Sequence, residues 1–347
     1  WFAWCPVVAI FTMLIGDYLV KMFALDLSGG AYLGLYLVIA VLIIALMLFL
    51  GSRGLESGAK LGTILAIVSI VPIVIILLGA LVTGMFDFSN ISADWTRPEW
   101  SNGLQDYVLL FGCFGLAQWS ACAWETAAIY GPEYKNPGKD VPKALFGCGL
   151  ICLFMFFFIS TVVYGSLGQS GMEADKAATL VPIATGVFGE AGGFIALALL
   201  IVAMVLIIQT GFLGSSRTLA SMAGEHNLPS WFGKTNRNGM PVNAMYFVGI
   251  FNFLLIAIVG YSGLILGSGD TNMTILTASA LGYCLANTIA LAAFVKSRTS
   301  PRFRNLARPF AAPRCWKYVI AGMVVLQLAV WLPCLVYWSW YMSGGLT

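Results

Sequence analysis

Long uninterrupted blocks of apolar residues, joined by short polar connections, dominate the chain. They fall near residues 2–25, 31–50, 61–84, 106–130, 144–167, 192–215, 242–261, 272–295 and 316–338. Each holds roughly the 20 residues that carry a helix across about 30 Å of hydrocarbon, so the pattern predicts about nine helical membrane spans. The blocks are rich in Leu, Ile, Ala, Phe and Gly and show no alternation of period two, which disfavours a membrane barrel. The expected fold class is an all-α polytopic membrane protein.

Composition agrees with lipid as the solvent. Of the 347 residues 60% are hydrophobic and only 10% charged, with 38 glycines; a soluble domain of this length carries far more charge. The chain opens on Trp1 inside an apolar run and stops nine residues after the last block, so further segments are expected at both ends.

Charge distribution adds an orientation. If the first span leaves the cytoplasm, fifteen of the eighteen Lys and Arg residues face inward and only Lys21, Arg97 and Lys176 face outward. The positive-inside bias follows Lys and Arg rather than net charge. The connections Pro132–Pro142 and Ser297–Cys315 are therefore expected inside, and Phe86–Leu104 outside. The basic run from Arg302 to Lys317 is explained by orientation and anionic lipid, so no nucleic-acid partner is expected. The formal net charge of +3 itself says little about partners.

Catalytic chemistry finds little support. Of the eight cysteines, Cys5, Cys113, Cys122, Cys148, Cys152, Cys284 and Cys334 lie within the apolar blocks, where a thiol acts as a small apolar group. His226, the single histidine, sits in a connection, so neither a metal site nor a cofactor is expected. No histidine, Gly-x-Ser-x-Gly or acid pair lies at membrane depth, against an intramembrane enzyme. A channel would show a filter or charge ring that the spans lack. Enzyme and channel stand as the alternatives to a transporter.

The fourth block is interrupted at Trp119-Ser120-Ala121-Cys122-Ala123-Trp124-Glu125-Thr126. A carboxylate at that depth costs about 2.5–3.5 kcal/mol on insertion scales, so Glu125 is expected to face a cavity or a partner. Small residues let the helix unwind there, and the freed carbonyl and N–H groups suit the two ends of a zwitterion. Burial disfavours the charged form of a carboxyl, so Glu125 is a candidate for proton coupling or gating; the competing reading is a neutral hydrogen-bonding strut. Trp119 and Trp124 are expected to bound the cavity, an indole being able to stack on a cationic amine.

At these residues the chain resembles the amino acid-polyamine-organocation transporters. Trp119 to Ala127, with Gly131-Pro132-Glu133-Tyr134-Lys135-Asn136-Pro137-Gly138-Lys139-Asp140-Val141-Pro142, is similar to that family's sixth helix and next loop. Ser216-Arg217-Thr218 through Gly239-Met240-Pro241-Val242 is similar to the loop joining its eighth and ninth helices, and Ala307-Arg308-Pro309-Phe310 to the loop before its eleventh. Lys60-Leu61-Gly62-Thr63 followed by Pro72 resembles the glutamate/γ-aminobutyrate antiporter branch, and the run Leu61–Thr83 carries no charge.

The resemblance implies a LeuT-like fold of five helices plus five inverted ones, truncated here to the family's helices three to eleven. Residues 1–104 would hold the last three helices of the first repeat, 105–296 the second repeat, and 297–347 a cytoplasmic loop and the eleventh helix. It further implies secondary transport of an amino acid or amine across the inner (cytoplasmic) membrane, as exchanger or proton-coupled permease. The amine side of the site would comprise Trp119, Ser120, Cys122, Ala123 and Trp124; the departure is Ala123, where the family often has glycine. Tyr18 is a gate candidate by resemblance.

Other polar positions have plainer expectations. Asp17 and Lys21 lie one helical turn apart and can pair. Gln209 and Thr210 suit hydrogen bonding between helices. Thr277, Cys284 and Thr288 form a stripe that packs or lines the cavity, with packing favoured. Trp338, Trp340 and Tyr341 read as an interfacial belt.

Overall fold

A computed structural model describes residues 1–53, 55–92, 100–122, 128–129, 131, 134–174, 178–267, 271–303, 312–313 and 315–342. All regular elements among these residues are helical. Among the described residues seven helices are long and apolar enough to cross a membrane: Gly29–Ser52, Lys60–Val82, Pro137–Ala174, Glu190–Gly224, Val242–Leu264, Asn272–Thr299 and Trp316–Tyr337. The chain is a multi-pass helical membrane protein.

Two of the nine expected spans are shorter than their apolar blocks. The first, α1 (Val7–Met22), has 16 residues and α5 (Leu104–Ser120) has 17. At a rise of about 1.5 Å per residue they reach about 24–26 Å, a little less than the hydrocarbon core. Residues 2–6 form turns that lead into α1 through Pro6, whereas α5 stops inside its apolar block.

Packing divides the chain into two compact units, Ala3–Trp95 with Leu153–Ile275, and Thr96–Cys152 with Leu276–Thr347. This is a partition by contact, a different property from the inverted repeats expected from the sequence.

In the first unit α1, α2 (Gly29–Gly51), α8 (Glu190–Gly224) and α9 (Val242–Leu264) share a core that includes Val8, Ile43, Phe212 and Met245. The fully buried Asn252 on α9 caps the start of α1: its Oδ1 accepts from the Ala9 N–H at 3.1 Å, while its Nδ2 donates to Val248 O at 2.8 Å and to Cys5 Sγ at 3.3 Å. Ala9 sits in the first turn of α1, where helix N–H groups lack intrahelical acceptors. A second core joins α3 (Leu55–Val82), α7 (Leu180–Phe188), α8 and the later part of α6 (Pro137–Ala174).

Before α4 (Phe88–Ser92), outside the long spans, Asp87 accepts from the Ser89 N–H at 2.8 Å. The backbone and side chain of Ser89 hold the Asp87 carboxyl below its ordinary range. Within α6 the chain kinks at Gly168, whose φ of 63° favours glycine. The expected span 144–167 ends one residue earlier.

At the opposite end of α2 from its start, Ser52 O accepts from Asn236 Nδ2 and Asn238 Nδ2, both at 2.9 Å. This clasp ties α2 to the connection before α9, beside Arg53, Lys234 and Arg237.

In the second unit α5 packs along α11 (Trp316–Met342) through glycine. A Cβ on Gly112 would lie 2.6 Å from Tyr337 Cβ, and one on Gly115 2.5 Å from Cys334 Sγ. Both are closer than real contacts allow, so the helices meet only because these side chains are absent. The outward faces of α6, α10 (Thr271–Thr299) and α11 carry exposed Phe, Leu, Ile and Val, as lipid-facing helices do. The side chains of Trp338, Trp340 and Tyr341, expected as an interfacial belt, lie outside the described residues.

Candidate functional site

The candidate site begins with how α5 is held at both ends. At its start Asp106 is buried and acts as a cap: its Oδ2 accepts from Ser101 N and Oγ, both at 2.8 Å, and from Gly103 N at 3.2 Å. An acid is favourable there because helix N–H groups and the macrodipole present positive charge.

The other end coincides with the interruption seen in the sequence. Helical structure stops at Ser120; the Ala121 N–H bonds Ala117 O at 3.0 Å and the Cys122 N–H bonds Trp119 O at 3.2 Å in a tightened final turn. The Ser120 hydroxyl donates back to Ala117 O at 2.8 Å. Trp119 is buried, with its indole N–H donating to the fully buried Ser279 hydroxyl of α10 at 2.8 Å. Five residues further along α10, the Cys284 thiol donates to Gln118 Oε1 at 3.4 Å.

Of the expected substrate residues, Trp119, Ser120 and Cys122 thus sit together at the end of α5. Ala123 and Trp124, with the expected proton-coupling residue Glu125, lie outside the described residues. Tyr18, the gate candidate, belongs to the first unit, where its buried ring packs in a cluster with Ala178 and Leu197.

The stripe on α10 takes the packing role: Thr277, Cys284 and Thr288 are all buried, and the Thr288 hydroxyl bonds Cys284 O in its own helix at 2.8 Å. Thr210, expected to bond another helix, donates to Leu206 O of its own helix at 3.0 Å, and Gln209 is buried. A cavity of about 760 Å³ in the first unit is lined by Phe157, Ser160, Thr161, Tyr164 and Thr179 among others. Trp119, Ser120 and Cys122 are not among its described lining residues.

Sequence spacing offers Lys21 as a neighbour for Asp17, and misses three donors on other helices. Asp17 Oδ1 accepts from Tyr32 OH at 3.0 Å and Tyr36 OH at 2.5 Å, and Oδ2 accepts from Asn272 Nδ2 at 2.9 Å. Two tyrosines one turn apart on an apolar helix were the available signal.

Comparison with known proteins bears on what such a chain does. A family model described as Amino acid permease matches residues 1–347. The chain is 28% identical over 180 residues to an uncharacterized amino-acid permease of Schizosaccharomyces pombe, covering 50% of this chain and 32% of that protein. It is 24% identical over 211 residues to the arginine/ornithine antiporter ArcD1 of Lactococcus lactis, covering 56% and 39%. It is 26% identical over 202 residues to the L-methionine/branched-chain amino acid exporter YjeH of Escherichia coli, covering 58% and 46%. The aligned regions span less than half the length of each of these relatives. With the family match running from the first residue to the last, the chain belongs to the amino acid permease family of the amino acid-polyamine-organocation superfamily.

Proposed function

We propose that the complete protein carries amino acids or related amines across the cytoplasmic membrane by alternating access, as an exchanger or proton-coupled permease. The observation that carries this reading is the end of α5. An apolar run that continues in sequence stops being helical at Ser120, beside a buried indole. Carbonyl oxygens at a helix C-terminus bear partial negative charge, which suits a substrate ammonium, and interrupted helices of this kind hold substrate in transporters.

In this reading Trp119, Ser120 and Cys122, continued by Ala123 and Trp124, form the amine side of the site. Glu125 couples transport to protons or gates it, and Tyr18 contributes to a gate. The five-plus-five arrangement, its boundaries at residues 104 and 296, and the inward orientation of the basic connections belong to the same proposal. The relatives named for arginine/ornithine exchange and for methionine and branched-chain export support amino acids as the substrate class. They favour no single branch, and the glutamate/γ-aminobutyrate assignment rests on Lys60 to Thr63 and Pro72 alone.

The test is counterflow. The complete protein in proteoliposomes preloaded with one amino acid is expected to accumulate the same amino acid, radiolabelled, from outside. A panel of basic, acidic and apolar amino acids and their decarboxylated amines covers the class. Failure to accumulate any of them by a folded, monodisperse preparation would overturn the proposal.

A further inference from the structure

Asp17 lies in an apolar helix, where a carboxylate needs compensation. Two other elements contribute donors to it. A Cβ on the preceding residue, Gly16, would stand 2.6 Å from Tyr36 Cδ1 and 2.7 Å from Tyr36 Cε1. Only glycine therefore lets the Tyr36 ring lie flat against α1, and from there its hydroxyl reaches Asp17 at 2.5 Å. Tyr32, one turn earlier on α2, meets Tyr36 edge to face at a centroid distance of 5.2 Å and adds its own hydroxyl at 3.0 Å. Together Gly16, Tyr32 and Tyr36 hold the carboxylate in one position on the α1–α2 pair.

The third donor has a different origin. Asn272 is the second residue of α10, and its Nδ2 reaches Asp17 Oδ2 at 2.9 Å across 255 positions of sequence. Only the first residues of α10, up to Ile275, belong to the first unit; from Leu276 onward the helix belongs to the second. The Asp17–Asn272 bond thus fastens a short terminal segment to a carboxylate that α2 already orients. It lies at the start of α2, whereas the clasp on Ser52 beside Arg53, Lys234 and Arg237 lies at its end. About 24–30 Å of helix separates Ser52 from Tyr36 and Tyr32, given a rise of about 1.5 Å per residue. By the positive-inside bias the Asp17 end is the outer one.

We propose that Asp17, oriented by Tyr32 and Tyr36, is a polar latch that fastens the first turn of α10 at the outer end of α1 and α2 and limits how often that turn opens. Hydrogen bonds to a charged acceptor are stronger than neutral ones and short of permanent, which suits an element that must release and re-form. The latch is read from geometry; its bearing on transport rate rests on the proposed function.

Hydrogen exchange of the complete protein, followed by mass spectrometry over residues 271–276, tests the latch without any substrate. N272A, D17N and Y36F are each expected to speed exchange in that segment on the order of ten-fold, with α8 unchanged. G16A is expected to act in the same direction by displacing Tyr36. Unchanged exchange in N272A and Y36F would overturn the latch even if D17N fails to fold. In proteoliposomes N272A is expected to alter turnover several-fold with KM shifted less than about two-fold; faster amide exchange with unaltered turnover would overturn the rate-limiting role. If the unsubstituted protein moves no amino acid, the functional reading fails and the amide exchange still decides the latch.

Discussion

The indole N–H of Trp119 donates to the hydroxyl of Ser279 at 2.8 Å, and both side chains are buried. This bond fixes the ring plane at the point where α5 ends, so an indole face beside the helix C-terminus has one orientation rather than several. In the complete protein Trp119→Leu is expected to weaken apparent substrate affinity about ten-fold, equivalent to about 1.4 kcal/mol. Trp231→Leu, at a half-exposed ring in the connection before α9, is the control and should shift it less than about two-fold. Ser279→Ala should fall between them. Equal small effects from all three, measured by competition for radiolabelled substrate, would reduce Trp119 to packing.

Asn252 is a separable test of the first unit's core. Replacing it with Leu removes the acceptor for Ala9 N–H and leaves that donor without its cap in an apolar setting. The expected loss of stability is about 1–3 kcal/mol, read as an earlier unfolding midpoint in detergent. Asn252→Asp keeps an acceptor and should lose less than Asn252→Leu.

Orientation can be settled with impermeant thiol reagents on a background with the accessible native cysteines replaced. Asn136 is exposed and lies in a connection expected inside. For the outside report Ser92 is a better choice than Asn90, because Ser92 is exposed whereas the Asn90 carboxamide is committed to Gly165 O at 2.9 Å. In intact cells a cysteine at Ser92 should label and one at Asn136 should not. The reverse pattern would invert the proposed topology.

Glu125→Gln distinguishes proton coupling from a structural strut, since an amide keeps much of the hydrogen bonding and cannot titrate. The variant is expected to fold, to exchange substrate, and to show a flattened activity profile between roughly pH 5 and 8, the range over which a buried carboxyl can change charge. A profile identical to that of the unsubstituted protein, at normal activity, would leave Glu125 as a strut.

Much of this molecule could be read from one dimension of pattern. The apolar blocks located every long helix, and the small and polar residues after Trp119 marked where α5 ends, because both are local properties. The block ending at residue 167 gave no sign that helix resumes beyond Gly168 and runs to Ala174. What escaped depends on pairs far apart in the chain. Nothing near Asp17 announces Tyr32, Tyr36 and Asn272; a helix turn offers Lys21, while these three donors are fixed by how α1, α2 and α10 converge. The partners of Asp106 escaped for a related reason. A charge near the edge of an apolar block looks like a solvated connection, whereas its carboxylate folds back onto Ser101 and Gly103 to close the start of α5. The role of Thr210 turned on a rotamer choice, a back-bond to its own helix, that composition does not encode.

The cap on α1 also sets an order of events during biogenesis. Ala9 leaves the ribosome 243 residues ahead of Asn252, the side chain that satisfies it. At roughly 5–20 residues per second of synthesis, the interval is on the order of 10–50 s. Throughout that time α1 has left the translocon or waits beside it with the Ala9 N–H lacking its Asn252 acceptor, held by lipid, by an insertase or by the helices made before α9. Nascent chains arrested before α9 would therefore present a helix whose amino end is unfinished, a feature that membrane quality-control proteases can recognise and that disappears once α9 inserts.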